Sequence, residues 1–345
     1  MTKQKQRIVA IAIIGVLLCI VSLLALHVGT IMIPIGGGVQ SILNGMGIPV
    51  HFTEPITAEQ EAVLWFIRMP RLIIGLLVGG ALALAGAVMQ GVFSNPLADP
   101  GIMGVSAGAS LGAVIAIALG VTSLGMFYMP AFAFVGAFVS VGITIILTWR
   151  NNKLDTTTLL LAGVAVSMLL GAFTSGILTM INEYRLREFL FWMVGGLDFR
   201  RWDHVALAVG PIVTGSVILM MLGRHLNVLV LGDTEARALG LPVMAYRMLF
   251  LFLSSVVTAT AVCVSGSIGF VGLVVPHIVR LLVGPDHRIL LPMAAVGGAL
   301  FLVFCDTLGR VIAQPIEIRV GIMTALLGAP YFLYLLHRLR SKGGA

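Results

Sequence analysis

The chain has 345 residues, of which 59% are hydrophobic and 10% charged, and its mean hydropathy is +1.08. A soluble domain carries roughly 45–50% apolar and about 25% charged residues, so a water-soluble globule is excluded. Disorder, which needs low hydrophobicity and high charge, is excluded with it. The net charge of +7 is scattered among apolar runs rather than gathered in a basic domain, so it reads as topogenic loop charge and not as a nucleic-acid surface.

Apolar runs long enough to cross a bilayer are expected, in chain order, at 8–29, 72–92, 102–121, 130–149, 158–181, 204–222, 247–265, 268–283 (short), 289–305 and 320–337. The fold class is therefore all-α: a polytopic membrane protein with about ten transmembrane helices, in one domain over 1–345. The 41 glycines suit helices that pack closely in lipid. The N-terminal MTKQKQR followed by an apolar run resembles a signal peptide, but the run is long and no A-x-A site follows. It is read as an uncleaved first span.

Ten spans put both termini on one side. With the termini cytoplasmic, the inner face holds 13 of the 21 Lys+Arg and the outer face eight, all of them Arg. The positive-inside rule favours this orientation. The eight outer arginines (Arg68, Arg71, Arg185, Arg187, Arg200, Arg201, Arg310 and Arg319) then require partners.

Two segments join Gly and Pro with polar residues at span ends: Asn95-Pro-Leu-Ala-Asp-Pro-Gly101, and Gly266-Ser-Ile-Gly-Phe-Val-Gly272 followed by Pro276-His277. Broken spans in two halves point to a substrate path. Small residues also recur at i, i+4: Gly75 and Gly79; Gly104, Gly108 and Gly112; and Gly163, Ser167, Gly171 and Ser175. Such stripes serve helix packing or, on the fifth span, a lining that does not hinder a bulky cargo.

The segment 226–242 is polar. Asp233 reads as the N-cap of a short helix that Gly240 stops, with Pro242 beyond. Physics leaves two readings open: a helix lying on lipid or a knob for a soluble partner. There is no G-x-x-x-x-G-K-[ST], so the chain hydrolyses no ATP through a P-loop. No catalytic cluster or metal-spaced Cys/His set stands out, and no cofactor is expected. The cysteines (Cys19, Cys263, Cys305) read as small core residues, and His277 as a packing or hydrogen-bonding residue. Acidic residues are missing from span centres, which argues against an ion-coupled transporter.

The ordered set of motifs resembles the FecCD/BtuC family of ABC importer permeases, type II importers of iron–siderophore complexes, haem and vitamin B12. The matching stretches are Arg68-Met-Pro-Arg71, Gly86-Ala-Val-Met-Gln-Gly91, Asn95 to Gly101 with Gly104-Val-Ser106, Leu161-Ala-Gly-Val164, Trp192-Met-Val-Gly-Gly196, Leu231-Gly-Asp233, Ala238-Leu-Gly-Leu-Pro242, Gly269 to His277, Asp286-His-Arg288 and Thr324 to Pro330. The resemblance implies a BtuC-like type II importer fold and a homodimer in a bacterial plasma (inner) membrane. It also implies two cytoplasmic ATP-binding subunits and an extracytoplasmic substrate-binding protein. On the same basis Leu231, Gly232, Asp233, Glu235, Ala236, Arg237, Leu239 and Gly240 are expected to couple to the ATPase. Asn95, Pro96 and Leu97 are expected to form the cytoplasmic gate, and Arg68, Arg71 and Arg310 to dock the binding protein. The sequence departs from the family at Glu317-Ile-Arg-Val-Gly321, where Arg319 stands in place of a helix-starting proline; it either extends the docking patch or is neutral. The implied cargo is an iron chelate or haem, with a corrinoid as the alternative. The loop from 30 to 64 carries no motif.

Overall fold

The computed structural model describes residues 3–51, 55–150 and 153–342. Fifteen α-helices account for most of them. In chain order they are α1 (Lys3–His27), α2 (Ile35–Gly45), α3 (Ala58–Val63), α4 (Met69–Val92), α5 (Val105–Leu119), α6 (Tyr128–Thr148), α7 (Thr156–Leu178), α8 (Glu183–Met193), α9 (Trp202–Met221), α10 (Gly223–Leu229), α11 (Asp233–Ala238), α12 (Val243–Ser265), α13 (Val271–Val283), α14 (His287–Ile312) and α15 (Val320–Lys342). The β-structure among the described residues is a two-residue antiparallel ladder that pairs Trp149 with Leu154 and Arg150 with Lys153.

Seven helices are long and apolar enough to cross a membrane, and three shorter apolar ones (α5, α13 and α15) complete the ten expected spans. The expected boundaries move in ways the local chemistry explains. The second span starts far earlier than 72: α3 continues through a π-helical turn over Leu64–Arg68 into α4. Thr57 starts this run with a full capping box, its hydroxyl taking the Gln60 N–H and the Gln60 side chain taking the Thr57 N–H. The third span starts later than 102, because Pro100–Met103 form a 3₁₀ turn capped by the Asp99 carboxylate. Gly104, at φ 83, then redirects the chain into α5. The loop from 30 to 64, which carries no motif, contains α2 and α3; its residues 52–54 lie outside the described set.

Packing sorts the helices into centre and periphery. The apolar stretch of α4 is 83% buried and that of α12 78%, whereas α7 is only 22% buried and α1 11%. Helix α4 lies against α14, α12, α13 and α9. Glycines let these backbones touch. A Cβ on Gly86 would collide with the carbonyl of Gly272, and one on Gly108 with the carbonyl of Gly136. The stripes of the second and third spans are thus spent on close packing. Cys263 and Cys305 sit in the core as expected, but Cys19 is exposed on α1.

Candidate functional site

The two interrupted segments meet inside the bundle. Asp99 and Pro100 abut Gly272, where an added Cβ would press on the Asp99 carboxylate, the Leu82 carbonyl and the Pro100 ring. Phe270, at φ 68, caps the start of α13, and Gly266, at φ 73, ends α12. The interruptions that precede α5 and α13 thus lie against each other, one of several places where the two halves of the sequence touch.

One end of the bundle is built on arginine. Arg71 lies in the first turns of α4, and Asp306 and Arg310 in the last turns of α14. The Arg71 guanidinium donates to both Asp306 oxygens at 2.9–3.1 Å and to Glu317 Oε2 at 2.8 Å. It also lies 3.1 Å from Asp198 Oδ1. Arg310 pairs with Asp306 at 3.4 Å, and its Nη2 donates to the Ala25 carbonyl at 2.9 Å. Arg68 donates to the Leu26 carbonyl at 2.7 Å and to the Ile31 carbonyl. These three arginines are 5–8% exposed.

Arg68, Arg71 and Arg310, expected to dock a binding protein, are buried, and carboxylates and carbonyls of this chain already use most of their donors. A buried guanidinium needs such partners, since an unpaired one is strongly destabilising. Arg319 is more open: its guanidinium donates to the Phe191 carbonyl, lies 4.5 Å over the Phe191 ring and is 3.8 Å from Asp198. The carboxylates were visible in the sequence but not their use. Asp306 and Arg310, four apart in an apolar run, were the available signal.

The opposite end carries the polar knob. Helices α10 and α11 form one turn-and-helix unit between α9 and α12. The N-cap of α11 is Gly232, at φ 117, rather than Asp233. Asp233 is instead drawn to Arg247 of α12 at 2.6 Å. Gly240, at φ 80, ends the unit as expected. Ala236 is fully buried and anchors α11, while Leu231 (59% exposed) and Leu239 (66%) project from it, with Glu235 and Arg237 exposed beside them.

Asn227 supplies a second tether that sequence reasoning missed. Its side-chain amide donates to Asp286 Oδ1 at 2.8 Å, and its carbonyl oxygen accepts from the His287 backbone N–H at 2.9 Å. The His287 Nδ1 lies 2.7 Å from the same oxygen. Hydrogen bonds from Arg288 and Asn227 hold the Asp286 carboxyl far below the usual carboxylate range. Leu226 closes the contact by packing on Gly91 at the end of α4.

Asn95, Pro96 and Leu97 lie beside this knob. Asn95 Oδ1 accepts from the Leu97 N–H at 2.9 Å, an Asx-type turn that fixes the loop. A cavity of about 540 Å³ joins the loop to the knob and is lined by Gln90, Asn95, Pro96, Asn227, Leu231 and Arg280. The structure therefore brings Asn95 and Pro96 to one cavity with Leu231.

The stripe of the fifth span divides. Gly163 is packed so closely on the Ile102 carbonyl that a Cβ would not fit, and Ser167 donates to the Gly163 carbonyl. Gly171 faces open space, and Ser175 is exposed. Two of the four serve packing, and two are available to a path.

Comparison with known proteins agrees with this geometry. The FecCD transport family model matches residues 17–338. The chain is 48% identical over 290 residues to the cobalamin import system permease protein BtuC of Halobacterium salinarum, covering 84% of this chain and 76% of that one. It is 44% identical over 297 residues to the hemin transport system permease protein HmuU of Yersinia pestis, covering 83% and 87%. A solved metal-chelate type ABC transporter in an inward-facing conformation superposes with a TM-score of 0.83 at 31% identity, covering 94% of this chain and 97% of that one.

Proposed function

Because the chain belongs to the FecCD transport family, whose members are multi-pass permease subunits of ATP-binding-cassette importers, we propose how it divides the work of import. Partner ATPases supply the hydrolysis and a binding protein supplies the cargo. The permease itself is a conduit and not an enzyme. Two copies form the translocating unit in a bacterial plasma (inner) membrane, with both termini cytoplasmic. The knob end then faces two ATPase subunits, and the arginine end faces the binding protein.

The observation that carries this reading is the tethered knob. Leu231 and Leu239 are exposed apolar side chains on a polar element, as a groove on a soluble partner would require. Movement of that partner reaches α12 through Asp233–Arg247, α14 through Asn227 with Asp286 and His287, and α4 through Leu226 on Gly91. The Asn95–Leu97 gate shares a cavity with Leu231 and opens or closes with it. Gly171 and Ser175 offer cargo a face with little to grip, so specificity rests with the binding protein. At the other end, the buried Arg68, Arg71 and Arg310 brace the platform, and Arg319 lies at its open rim.

The cargo is a bulky metal chelate, an iron–siderophore complex or haem. A corrinoid is the second reading, favoured by the relatives named for cobalamin and vitamin B12. The test is uptake into liposomes holding the permease with its ATPase and supplied with its binding protein. ATP-dependent entry of radioiron-labelled haem or siderophore complex supports the first reading, and of labelled cobalamin the second. Uptake that persists without ATP and collapses with a proton ionophore would replace both with an ion-coupled transporter.

A further inference from the structure

At the arginine end, five guanidinium groups (Arg68, Arg71, Arg200, Arg310 and Arg319) share three carboxylates (Asp198, Asp306 and Glu317). Arg71 engages all three carboxylates, Arg310 shares Asp306 and Arg319 shares Asp198. Arg200 has no carboxylate within ion-pair distance among the described residues. Its Nη2 donates weakly to the Gly196 carbonyl at 3.3 Å, and its Nη1 lies 3.4 Å from His204 Nε2. Its Nε is buried without an acceptor. Burial, against the pull of Asp198 and with a smaller push from Arg319, lowers this guanidinium to about 10. A cation so placed is short of one anion.

The same residues line a cavity of about 220 Å³. Its polar wall is Arg200, Arg319, His204 and Asp198, the last already paired with Arg71 and near Arg319, and its apolar wall includes Met129, Phe191 and Trp192. Phe199 also lines it, held at φ 57 and 89% exposed. A bulky residue in the left-handed region is strained, and the surrounding structure must hold it there. The strain leaves an aromatic ring standing at the mouth of the cavity.

We propose that this cavity is a binding site for a carboxylate carried on an apolar or aromatic body. The planar forks of Arg200 and Arg319 match the two oxygens of a carboxylate, and the ring-lined wall takes the body. The excess of positive charge selects an anion over its neutral amide. The carboxylate belongs either to an acidic side chain of the binding protein or to the cargo itself. Its place on the transport route rests on the importer reading above; the site itself does not.

Benzoate is the direct probe, titrated against the full-length protein in nanodiscs by calorimetry, with benzamide as the neutral control. Saturable benzoate binding without benzamide binding is expected, and R200Q or R319Q should each weaken it about tenfold. R200K, which keeps the charge but loses the planar fork, should fold and bind benzoate with an affinity between those of the wild type and R200Q. Equal binding of benzoate and benzamide, or unchanged benzoate affinity in a folded R200Q protein, overturns the site. Two further arms assign its source. If R200Q lowers docking of the binding protein whatever the cargo, the carboxylate is the carrier's. If docking holds but uptake of haem falls while uptake of haem dimethyl ester does not, it is the cargo's. Failure of all uptake with benzoate binding intact would count against the importer reading and not against the site.

Discussion

The two ends of the bundle handle charge in opposite ways. At one end the charges are buried and their partners come from distant parts of the chain, as with Arg71 and Asp306. At the other the polar contacts are local tethers nearer solvent: half-open Asp233 to buried Arg247, and part-buried Asn227 to Asp286 and His287. A buried network has no cheap alternative state, because moving one member strands another. A tether with one side open to solvent, such as Asp233, can exchange its partner for water at smaller cost. The arginine end is therefore a fixed platform and the knob end a lever, and substitutions should separate the two.

The largest effect belongs to the platform. R71A removes the cation shared by Asp306, Asp198 and Glu317, leaving Asp306 with Arg310 alone; removing one member of a buried pair costs about 3–5 kcal/mol. Thermal unfolding in detergent should show it as a large fall in midpoint or loss of the folded protein. An unchanged midpoint would mean that the network does not brace this end.

Next comes the tether. N227A leaves the His287 N–H and the Asp286 carboxylate each one partner short, a loss of about 1–3 kcal/mol. It should also uncouple the assembled transporter: ATP hydrolysis continues while uptake falls. Proportional loss of both would place Asn227 in stability alone.

Much of this contrast was not legible in the sequence. Ten apolar runs, a short helix near 233–238 and two interrupted spans were readable because period, caps and Gly–Pro clusters are local signals. The partner of an arginine is not a local property. Arg71 and Asp306 are 235 positions apart, and only packing shows that a conspicuous outer arginine is already satisfied. Glycine stripes were ambiguous for the same reason. Gly163 and Gly171 look alike in the sequence, yet one backs onto a carbonyl and the other onto open space. Amphipathic α8 and the helices α2 and α3 went unseen because they are too short or too polar for a search tuned to membrane-crossing lengths.

Smaller in stability terms is a change on the lever's outer surface. L239D alters an exposed side chain, so the fold should change by no more than about 0.5 kcal/mol. Copurification of the ATPase subunit should nevertheless be lost. Retained copurification would remove Leu239 from the contact.

The smallest effect is a pH dependence. The folded-state pKa of Asp286 is depressed, so its contribution is fully present above the unfolded value of about 3.9 and is lost as pH falls below it. The difference in melting midpoint between the wild type and D286N should stay constant from pH 8 to about pH 5 and close in stronger acid. A difference that widens on acidification would contradict the assignment.

The distance in sequence between Arg71 and Asp306 also bears on how the chain is made. Helix α4 enters the bilayer early in synthesis, and α14 is the last helix but one. In the interval Arg71 has no Asp306. Its place in the first turns of α4 lets the side chain reach toward the headgroups meanwhile. When α14 arrives, it withdraws that charge from the interface and closes the bundle around it. A nascent chain ending before His287 should therefore insert its earlier helices yet remain sensitive to protease at this end, until the arrival of α14 completes assembly.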